Sequence, residues 1–458
     1  MPDSLRFEIF DDASVGTTYD FLTAGLKPII GTWRIQKLAG RMMHTVLLAI
    51  RDTATNIRTD VNDLEDLLDQ ASLHINDALE KRSVWYRAQT DSESAKRSLV
   101  YDFELVPVDS AAFEVYLTHE AAQYALSFTT DGSSEEDTAQ TASTSALSCL
   151  GGVWNLSGSI SGGRVNGRID KLLVEPQSST VNKMWIGVRP LRELSGSFTA
   201  AYDTTALTGT GVTTTADANS RSGSYSNVSF SGGEDMILRF SNRDFGSGSQ
   251  NYIGRFLILL RCRVSSSGTI CNIRASTSLQ VSGSDPTYND PLNLGSTQYV
   301  SSTSFQFVEL GEFEFPPYRG HSRQTMVNMR INLEVGRIAG SGNFHADCYV
   351  LIPADHMVTW SGLNVANTGG GAFSTDPMQA YFYTFPDNTI EGFLSDGFAP
   401  SPFDGNPFGL GTVTAKDWAY PFDGGVLVFA SQREGIQNIS DTVDVSLEVF
   451  RKWTTYRV

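Results

Sequence analysis

The sequence predicts a mainly β protein. An N-terminal antiparallel α+β module with one covering helix is followed by a β-sandwich of the jelly-roll class, and then by C-terminal strands with an irregular aromatic arm. Three observations favour this class. Short apolar or alternating runs are separated by clusters of Gly, Ser, Asn and Asp, the pattern of strands and turns. The 41 Gly, 26 Phe and 16 Tyr fit many short strands joined by tight turns. One strong amphipathic helix signal is present, at residues 53–72.

The length of 458 residues exceeds what one hydrophobic core usually organises, so we expect about two to four domains. Changes in composition suggest where the boundaries lie. The predicted units are residues 1–150, the α+β module; residues 151–195, a connecting β segment; residues 196–365, the jelly-roll sandwich; and residues 366–458, the aromatic arm with the C-terminal strands.

The N-terminal module combines strands with the helix. Residues 42–50 form an apolar run that is typical of a buried strand. After this run, apolar residues recur at steps of three and four, which places them on one face of a helix with carboxylates on the other. These apolar residues are Ile57, Val61, Leu64, Leu67, Leu68 and Ala71. Further strands are predicted at residues 5–9, 31–36, 84–87, 100–105 and 113–117, and a linker or long loop at residues 129–148.

The sandwich is predicted from strand runs that alternate with turn residues. Polar residues 208–235 are predicted to form a long loop that begins or caps it. The runs lie at residues 168–174, 256–260, 305–310, 330–335 and 347–352. Beyond residue 366, regular strands are predicted at 425–430 and 443–450.

Residues 385–422 are rich in aromatic side chains between prolines and glycines. So many exposed aromatics are unusual for a free loop, so we predict that this arm lies against another subunit or domain. The predicted interface residues are Phe385, Phe393, Phe398, Phe403, Phe408, Trp418 and Phe422.

The charge of the chain narrows the classes of partner. A formal net charge of −17 argues against a nucleic-acid binder, which needs clustered Lys and Arg to neutralise phosphates.

No apolar stretch approaches the roughly 20 residues of a membrane span. The N-terminus lacks the basic and apolar regions of a signal peptide, so we expect a product that is made and assembled in the cytoplasm.

Four cysteines are too few for a disulfide scaffold of this length. Cys262 and Cys271 flank a short turn, and counting outward from its centre predicts that they face each other across a hairpin. That position allows a disulfide, but two packed thiols are the favoured interpretation because nothing in the sequence indicates export.

The sequence contains no recognisable catalytic motif, and we predict no catalytic residue, no metal and no cofactor. Two weaker possibilities remain. His345 and Asp347 alternate on one predicted strand close to His356, which allows a metal pair, although a hydrogen-bonded histidine is the simpler interpretation. Carboxylates beside the sandwich strands allow Ca²⁺ coordination through loop oxygens. These carboxylates are Asp203, Asp217, Glu234 and Asp235.

The order of strands, acidic helix, Trp85 and the strand at residues 101–105 resembles the N-terminal domain of bacteriophage tail proteins of the distal-tail or baseplate type. Residues 349–355 look like the last core strand of the jelly-roll modules embedded in such proteins. The resemblance is one of pattern over residues 1–365. It implies a virion protein of the tail that forms a cyclic ring and joins the tail tube to the tip. The implied partners are copies of itself and tail-tube, tape-measure or baseplate hub proteins.

We therefore expect a structural protein and not an enzyme. The alternative is a host-adsorption protein that binds cell-surface glycan through a projecting sandwich; a glycan-cleaving enzyme is a weaker alternative. Aromatic side chains in polar loops stack on sugars, and four tyrosines lie in or near such stretches. The predicted ligand-binding residues are Tyr225, Tyr252, Tyr288 and Tyr299.

Overall fold

The structure is a computed structural model. Among the residues that it describes, no helix is long and apolar enough to cross a membrane. The described residues are 5–11, 18–20, 27–29, 31–38, 41–51, 59, 62–63, 84–90, 96–108, 121–130, 132–136, 138–156, 158–160, 163–177, 181–190, 200–204, 207–208, 211–231, 236–240, 254–280, 293–315, 328–365, 379–384, 390–395, 412–421, 424–432 and 439–454.

The described residues form 31 strands, all paired in antiparallel fashion, which confirms the predicted mainly β class. The strands of the first half are β1 (Leu5–Asp11), β2 (Thr18–Asp20), β3 (Lys27–Pro28), β4 (Arg34–Leu38), β5 (Arg41–Arg51), β6 (Val84–Thr90), β7 (Lys96–Pro107), β8 (Ala121–Thr130), β9 (Ser133–Glu136), β10 (Gln140–Ser148), β11 (Leu150–Asn155), β12 (Val165–Pro176), β13 (Val181–Pro190), β14 (Ala201–Asp203), β15 (Leu207–Thr208), β16 (Val212–Ala216) and β17 (Ser224–Val228). Those of the second half are β18 (Met236–Phe240), β19 (Gly254–Val264), β20 (Ile270–Gln280), β21 (Asn293–Leu294), β22 (Gln298–Val300), β23 (Gln306–Phe315), β24 (Asn328–Ala339), β25 (Phe344–Pro353), β26 (His356–Val365), β27 (Gln379–Thr384), β28 (Ile390–Ser395), β29 (Thr412–Lys416), β30 (Gly425–Gln432) and β31 (Thr442–Thr454).

The N-terminal strands β1–β8 confirm the buried strand predicted at residues 42–50, which is the centre of β5 and pairs with β3, β4 and β8. Its side chains alternate, with Val46 and Leu48 buried. The predicted helix at residues 53–72 lies almost entirely outside the described residues; Thr59, Asn62 and Asp63 within it are helical.

Four sheets are stacked face to face beyond the N-terminal strands. Sheet I contains β9, β10, β12, β27, β28 and β31, and joins the N-terminal strands where β9 pairs with β7. Sheet II has the order β11-β30-β13-β26-β29. Sheet III has the order β16-β17-β25-β19-β23 with β14 beside β25, and sheet IV the order β15-β18-β24-β20-β21 with β22 beside β20.

Alternating side chains fill the space between successive sheets. In β30, Leu427 and Phe429 pack with sheet I, whereas Val428 and Ala430 pack with sheet III. Sheet II is therefore buried on both faces, which explains why residues 425–430 form an unbroken apolar run. Sheet III is covered in the same way, because its other face forms a third core with sheet IV.

Several polar contacts join sheets II and III. Glu309 Oε1 of β23 accepts hydrogen bonds from Lys183 Nζ (2.5 Å) and Trp185 Nε1 (2.8 Å) of β13. Elsewhere between the same sheets, Lys416 Nζ of β29 donates to Glu312 Oε2 of β23 at 2.6 Å. The two sandwiches thus share an apolar core with polar links.

Sheets III and IV lie between β13 and β26 in the sequence, and β13 and β26 pair with each other in sheet II. Sheets III and IV form a two-sheet sandwich whose strands lie between residues 201 and 353. Sheets I and II combine strands from different predicted units, because β12 and β13 of the connecting segment pair with β31 and β30 from the C-terminal segment. Residues on both sides of the inserted sandwich therefore build one sandwich together.

Two polar stretches predicted as loops contain strands instead. Residues 129–148 include β9 and β10, and residues 208–235 include β16 and β17. Both stretches are rich in Ser and Thr, and β10 lies beside β31 of the distant C-terminal segment. Tertiary pairing therefore overrides a composition that is typical of loops.

The hairpin predicted around Cys262 and Cys271 is wrong. β19 pairs with β23 and β25 in sheet III, whereas β20 pairs with β21, β22 and β24 in sheet IV. The turn between the two cysteines therefore crosses from one sheet to the other. Both cysteines are buried free thiols in the core between sheets III and IV, in agreement with the favoured interpretation.

Candidate functional site

A group of charged residues lies on sheet III, beyond the part of its face that packs on sheet II. We call it the aspartate–arginine cluster. Three elements contribute to it: β14, the strand pair β19 and β25, and the turn at residues 217–223 between β16 and β17. Its members are Asp203, Asp217, Asp347, Arg221, Arg261, Arg263 and His345.

A β-bulge brings Asp347 into the cluster. In the pairing of β19 with β25, Arg261 is opposite Cys348 and Cys262 is opposite Ala346, so Asp347 is the extra residue of β25. Such a bulge re-aims the side chain that it inserts. Here it brings the Asp347 carboxylate to the Arg261 guanidinium.

Each aspartate of the cluster has its own arginine. Arg221 Nη1 is 2.8 Å from Asp203 Oδ1, and Arg263 Nη2 is 2.7 Å from Asp217 Oδ2. The third pair joins Arg261 to Asp347, and neither side chain of that pair is exposed. Because each carboxylate is neutralised by a guanidinium, the cluster does not provide the unpaired oxygen ligands that a Ca²⁺ site needs.

The cluster also fixes the turn at residues 217–223 onto the sheet. The backbone N–H of Arg221 donates to Asp347 Oδ1 at 2.9 Å, and Arg261 Nη1 donates to the carbonyl of Asn219 at 3.0 Å. These bonds satisfy both buried charges from several directions, which is the condition under which a buried ion pair is tolerated.

His345 is a neutral member of the cluster. Arg263 Nε donates to His345 Nδ1 at 3.2 Å, and the Tyr225 ring lies 4.4 Å from the imidazole, centroid to centroid. Burial and the Arg263 charge lower the pKa of His345 from 6.5 to about 4. The simpler interpretation, a hydrogen-bonded histidine, therefore describes His345. His356 lies elsewhere, next to the carbonyl of Asp417.

Burial is also the largest cause of the pKa shifts of Asp347 and His44. It raises the pKa of Asp347, and Arg261 opposes that shift. In the N-terminal strands, His44 stacks on Phe128 at 4.6 Å, with Trp33 Nε1 donating to its Nδ1 at 3.5 Å and its Nε2 3.2 Å from Thr130 Oγ1. Burial lowers the pKa of His44 to about 4. Both histidines are therefore uncharged at neutral pH and satisfied by their neighbours.

The metal sites considered from the sequence find no support in the described residues, where no three His, Cys, Asp or Glu side chains converge on one point. Asp203 and Asp217 belong to ion pairs, and Glu234 and Asp235 lie outside the described residues. The arginines of the cluster were not predicted from the sequence. The signal that could have identified them is the alternation of Arg261 and Arg263 within an apolar strand, since buried charges require partners.

The predicted ligand-binding tyrosines separate into three cases. Tyr225 is 7% exposed and packed against His345 and Phe305, so it is not an open stacking surface. Tyr299 on β22 is 68% exposed, at the outer side of sheet IV. Tyr252 and Tyr288 lie outside the described residues.

Of the predicted interface aromatics, Trp418 is contradicted, because it is 6% exposed within the core between sheets I and II of its own chain. Its position directly after β29 explains this, since β29 pairs with the buried strand β26. Phe393 is part of β28, and only the backbone of Phe393 is described. Phe385, Phe398, Phe403, Phe408 and Phe422 lie outside the described residues.

The described residues define a mainly β protein of stacked antiparallel sandwiches, with ion pairs between strands and turn. No protein-family model matches the chain, and no curated protein sequence matches it. Similarity to the solved structures described below is weak, and their TM-scores are far below 0.5, so it carries no argument about fold or function.

Three of these weakly similar structures are described here by their identity, coverage and TM-score. The N-terminal CBM22 tandem domain from Paenibacillus barcinonensis has 8% identity and a TM-score of 0.21, covering 61% of this chain and 100% of that chain. Infectious bursal disease virus, Gt strain, has 10% identity and a TM-score of 0.19, with 68% and 79% covered. A carbohydrate esterase from a Shiga toxin-encoding bacteriophage has 12% identity and a TM-score of 0.13, with 58% and 99% covered.

Proposed function

We propose that this chain is a structural protein of a virus particle, of the phage tail-tip or baseplate type. In this role it assembles as a cyclic ring and links tail-tube, tape-measure or hub proteins. The observation that most supports a structural role is the aspartate–arginine cluster. Its carboxylates are paired with guanidinium groups and two of its members are fully buried. The cluster therefore serves to hold the strands and the turn at residues 217–223 together.

The stacked sheets support the same proposal. Sheets II and III are each covered on both faces, and the inserted sandwich is joined to sheet II by the shared core and by Glu309 and Glu312. β layers that are joined by a shared apolar core and by hydrogen bonds suit a subunit with a mechanical role in a particle. Closed cyclic symmetry is the usual arrangement of repeated identical subunits. The resemblance of the N-terminal strand order to phage tail modules agrees with this role.

The test is assembly of the full chain, measured by native mass spectrometry and by electron microscopy of particles. We expect a closed ring of identical subunits. Replacing Phe398, Phe403 and Phe408 together by Ala should weaken the ring more than it lowers the melting temperature of the isolated subunit, because aromatics of this kind anchor interfaces.

Trp418→Ala is the matched control, since Trp418 lies in the core of its own chain. It should lower the melting temperature while the remaining folded subunits still assemble. A chain that stays monomeric at particle concentrations, or a triple variant that assembles normally but melts early, would contradict the proposal.

The alternative function, binding of host glycan, is favoured by one specific observation. Tyr299 exposes 68% of its surface on β22. An exposed aromatic ring suits stacking on a sugar. Loss of glycan-array binding in Tyr299→Ala would support this alternative, and unchanged binding would exclude this position. The weaker alternative, glycan cleavage, gains no support from the paired carboxylates.

A further inference from the structure

The strand β16 (Val212–Ala216) forms one edge of sheet III. Among the described strands it pairs with β17, in a register that is unbroken along its whole length. Thr213, Thr214 and Ala216 are exposed, so no other part of the chain covers their side chains. β16 is therefore an open edge, and an open edge can pair with a strand of another chain.

The hydrogen bonds of the β16–β17 hairpin determine which backbone groups of β16 point outward. The N–H of Asp217 donates to the carbonyl of Gly223 at 3.0 Å. At the other end of the hairpin, the N–H of Ser229 donates to the carbonyl of Gly211 at 3.0 Å. Bonds between two antiparallel strands use alternate residues, so the odd-numbered residues of β16 bond to β17. The even-numbered residues direct their N–H and C=O groups toward the open edge. These residues are Val212, Thr214 and Ala216.

β16 lacks the features that usually keep an edge strand from pairing with another chain, which are charged side chains, prolines and bulges. Other edge strands in the described part of the chain have such features. β4 carries Arg34 and Lys37. β10 has a bulge between Thr144 and Leu147. In contrast, β16 has the sequence Val-Thr-Thr-Thr-Ala, without a charge, a proline or a break in register. Its β-branched residues also favour an extended strand.

The aspartate–arginine cluster holds this edge in place, because the turn at residues 217–223 joins β16 to β17. The N–H of Arg221 donates to Asp347 of β25 at 2.9 Å. Arg261 of β19 donates to the carbonyl of Asn219 at 3.0 Å. A strand that is already held in position loses less conformational entropy when a second strand pairs with it. The cluster therefore preorganises the open edge for binding.

Charge favours a second copy of this chain as the partner. The formal net charge of −17 makes two copies repel each other, so a contact between copies needs a surface without excess negative charge. β16 and β17 contain no charged residue. In the adjoining turn, Asp217 is paired with Arg263. Arg221 of the same turn is paired with Asp203. The hairpin and its turn therefore form a neutral surface on an acidic protein.

The β16 strand is also complementary to itself. When two copies pair in antiparallel fashion about a two-fold axis at Thr214, each Thr214 faces its counterpart and each Val212 faces Ala216. The outward backbone groups of one strand then meet those of the other. Threonine side chains directly opposite each other favour a strand pair. A two-fold contact of this kind uses the same surface on both subunits.

We propose that β16 is the edge at which two copies of this chain join, so that sheet III of one copy continues into sheet III of the other. One strand pair is a small interface, and the association is therefore weak and concentration-dependent. The contact joins chains two by two, whereas a ring of more than two subunits closes through head-to-tail contacts. The inference does not depend on ring assembly or on the tail-tip role, because the contact can link two single chains or two rings.

The first test is cross-linking of the full chain carrying Thr214→Cys, with copper–phenanthroline as the oxidant. The two-fold axis places the two introduced thiols opposite each other, at a Cα separation of about 5.5 Å that suits a disulfide. The four native cysteines are buried. Thr414→Cys is the matched control, because Thr414 is an exposed threonine at the centre of the edge strand β29.

Thr214→Cys should form a covalent dimer about tenfold faster than Thr414→Cys, because pairing raises the effective concentration of its thiols. Equal rates of dimer formation in the two variants overturn the inference.

The second test is native mass spectrometry of the wild type and of Thr214→Lys over a range of concentrations. Thr214→Lys places like charges opposite each other and should weaken the pairing about tenfold. We expect the largest wild-type species to have twice the mass of the species that Thr214→Lys forms, whether the latter is a single chain or a ring. Thr414→Lys is the control and should associate as the wild type does.

Equal masses for the wild type and Thr214→Lys overturn the inference, even where a ring forms. A wild type that forms pairs but no ring supports the inference and contradicts ring assembly alone.

Discussion

Arg261 and Asp347 form an ion pair in which neither side chain is exposed to solvent, although 86 positions separate them in the sequence. Their pairing depends on the bulge in β25, and it holds the turn at residues 217–223 through Arg221 and Asn219. Loss of one partner would leave a buried charge without compensation.

We predict that Arg261→Ala lowers the free energy of unfolding by about 3–5 kcal/mol, because Asp347 would then be buried unpaired. Chemical unfolding followed by fluorescence measures this. Arg274→Ala is the control, since the Arg274–Glu334 pair is partly exposed and such pairs contribute about 1 kcal/mol or less. An equal decrease in the free energy of unfolding in the two variants would show that the buried pair contributes no more to stability than a partly exposed ion pair.

Stability should fall in mild acid because of two buried histidines. The folded pKa values of His44 and His345 are about 4, below the 6.5 of the free side chain, so the unfolded chain takes up these protons first. The stability contributed by the neutral imidazoles is present above pH 6.5 and is lost as the pH falls toward 4. We expect each histidine to remove about 2 kcal/mol between pH 7 and pH 5.

The measurement compares unfolding free energies at pH 7 and pH 5 for the wild type and for His44→Gln and His345→Gln. Each variant is less stable at pH 7, but its loss between the two pH values should be about 2 kcal/mol smaller than that of the wild type. A double variant should lose least. Identical pH dependence in all four proteins would contradict the assignment.

Gly187 allows sheets II and III to approach closely. A Cβ at this position would lie 2.3 Å from the carbonyl oxygen of Pro353, a backbone atom that cannot move aside. Gly187→Ala should therefore lower the free energy of unfolding by about 1–3 kcal/mol. Gly158→Ala, which meets no atom within 4 Å, is the control and should have little effect. A stable Gly187→Ala protein would show that the two sheets can separate without cost.

All four cysteines should be unreactive in the folded chain. Burial raises the pKa of Cys149 to about 12 and of Cys271 to about 11, and it raises the pKa of Cys262 and Cys348 as well. Titration with Ellman's reagent at pH 8 should therefore label none quickly in buffer and all four in guanidinium. Only two reactive thiols after unfolding would reveal a disulfide between Cys262 and Cys271.

The sequence predicts local elements of this fold better than their pairing. The apolar run around Val46 and the strand around Trp85 are evident because burial alone specifies them. The turn between Cys262 and Cys271 gives the same pattern whether its flanking strands pair together or enter different sheets. Only the tertiary structure distinguishes these outcomes.

In the candidate site too, the sequence shows the individual residues but not their pairing. Asp203, Asp217 and Asp347 stand out in the sequence, but as acidic side chains they suggest a cation site as readily as ion pairs. Their partners become visible only when β14, β19, β25 and the turn at residues 217–223 come together.

The central place of β31 in sheet I, between β10 and β12, has a consequence for how the chain is made. Ala146 and Asp444 are in contact but lie 298 positions apart, so a growing chain on the ribosome presents β10 and β12 long before their partner exists. Sheets III and IV, which lie wholly within residues 201–353, can close during that interval. Until β31 emerges, β10 and β12 lack the strand that pairs with both of them and completes sheet I, and unpaired strand edges of this kind expose a nascent protein to aggregation.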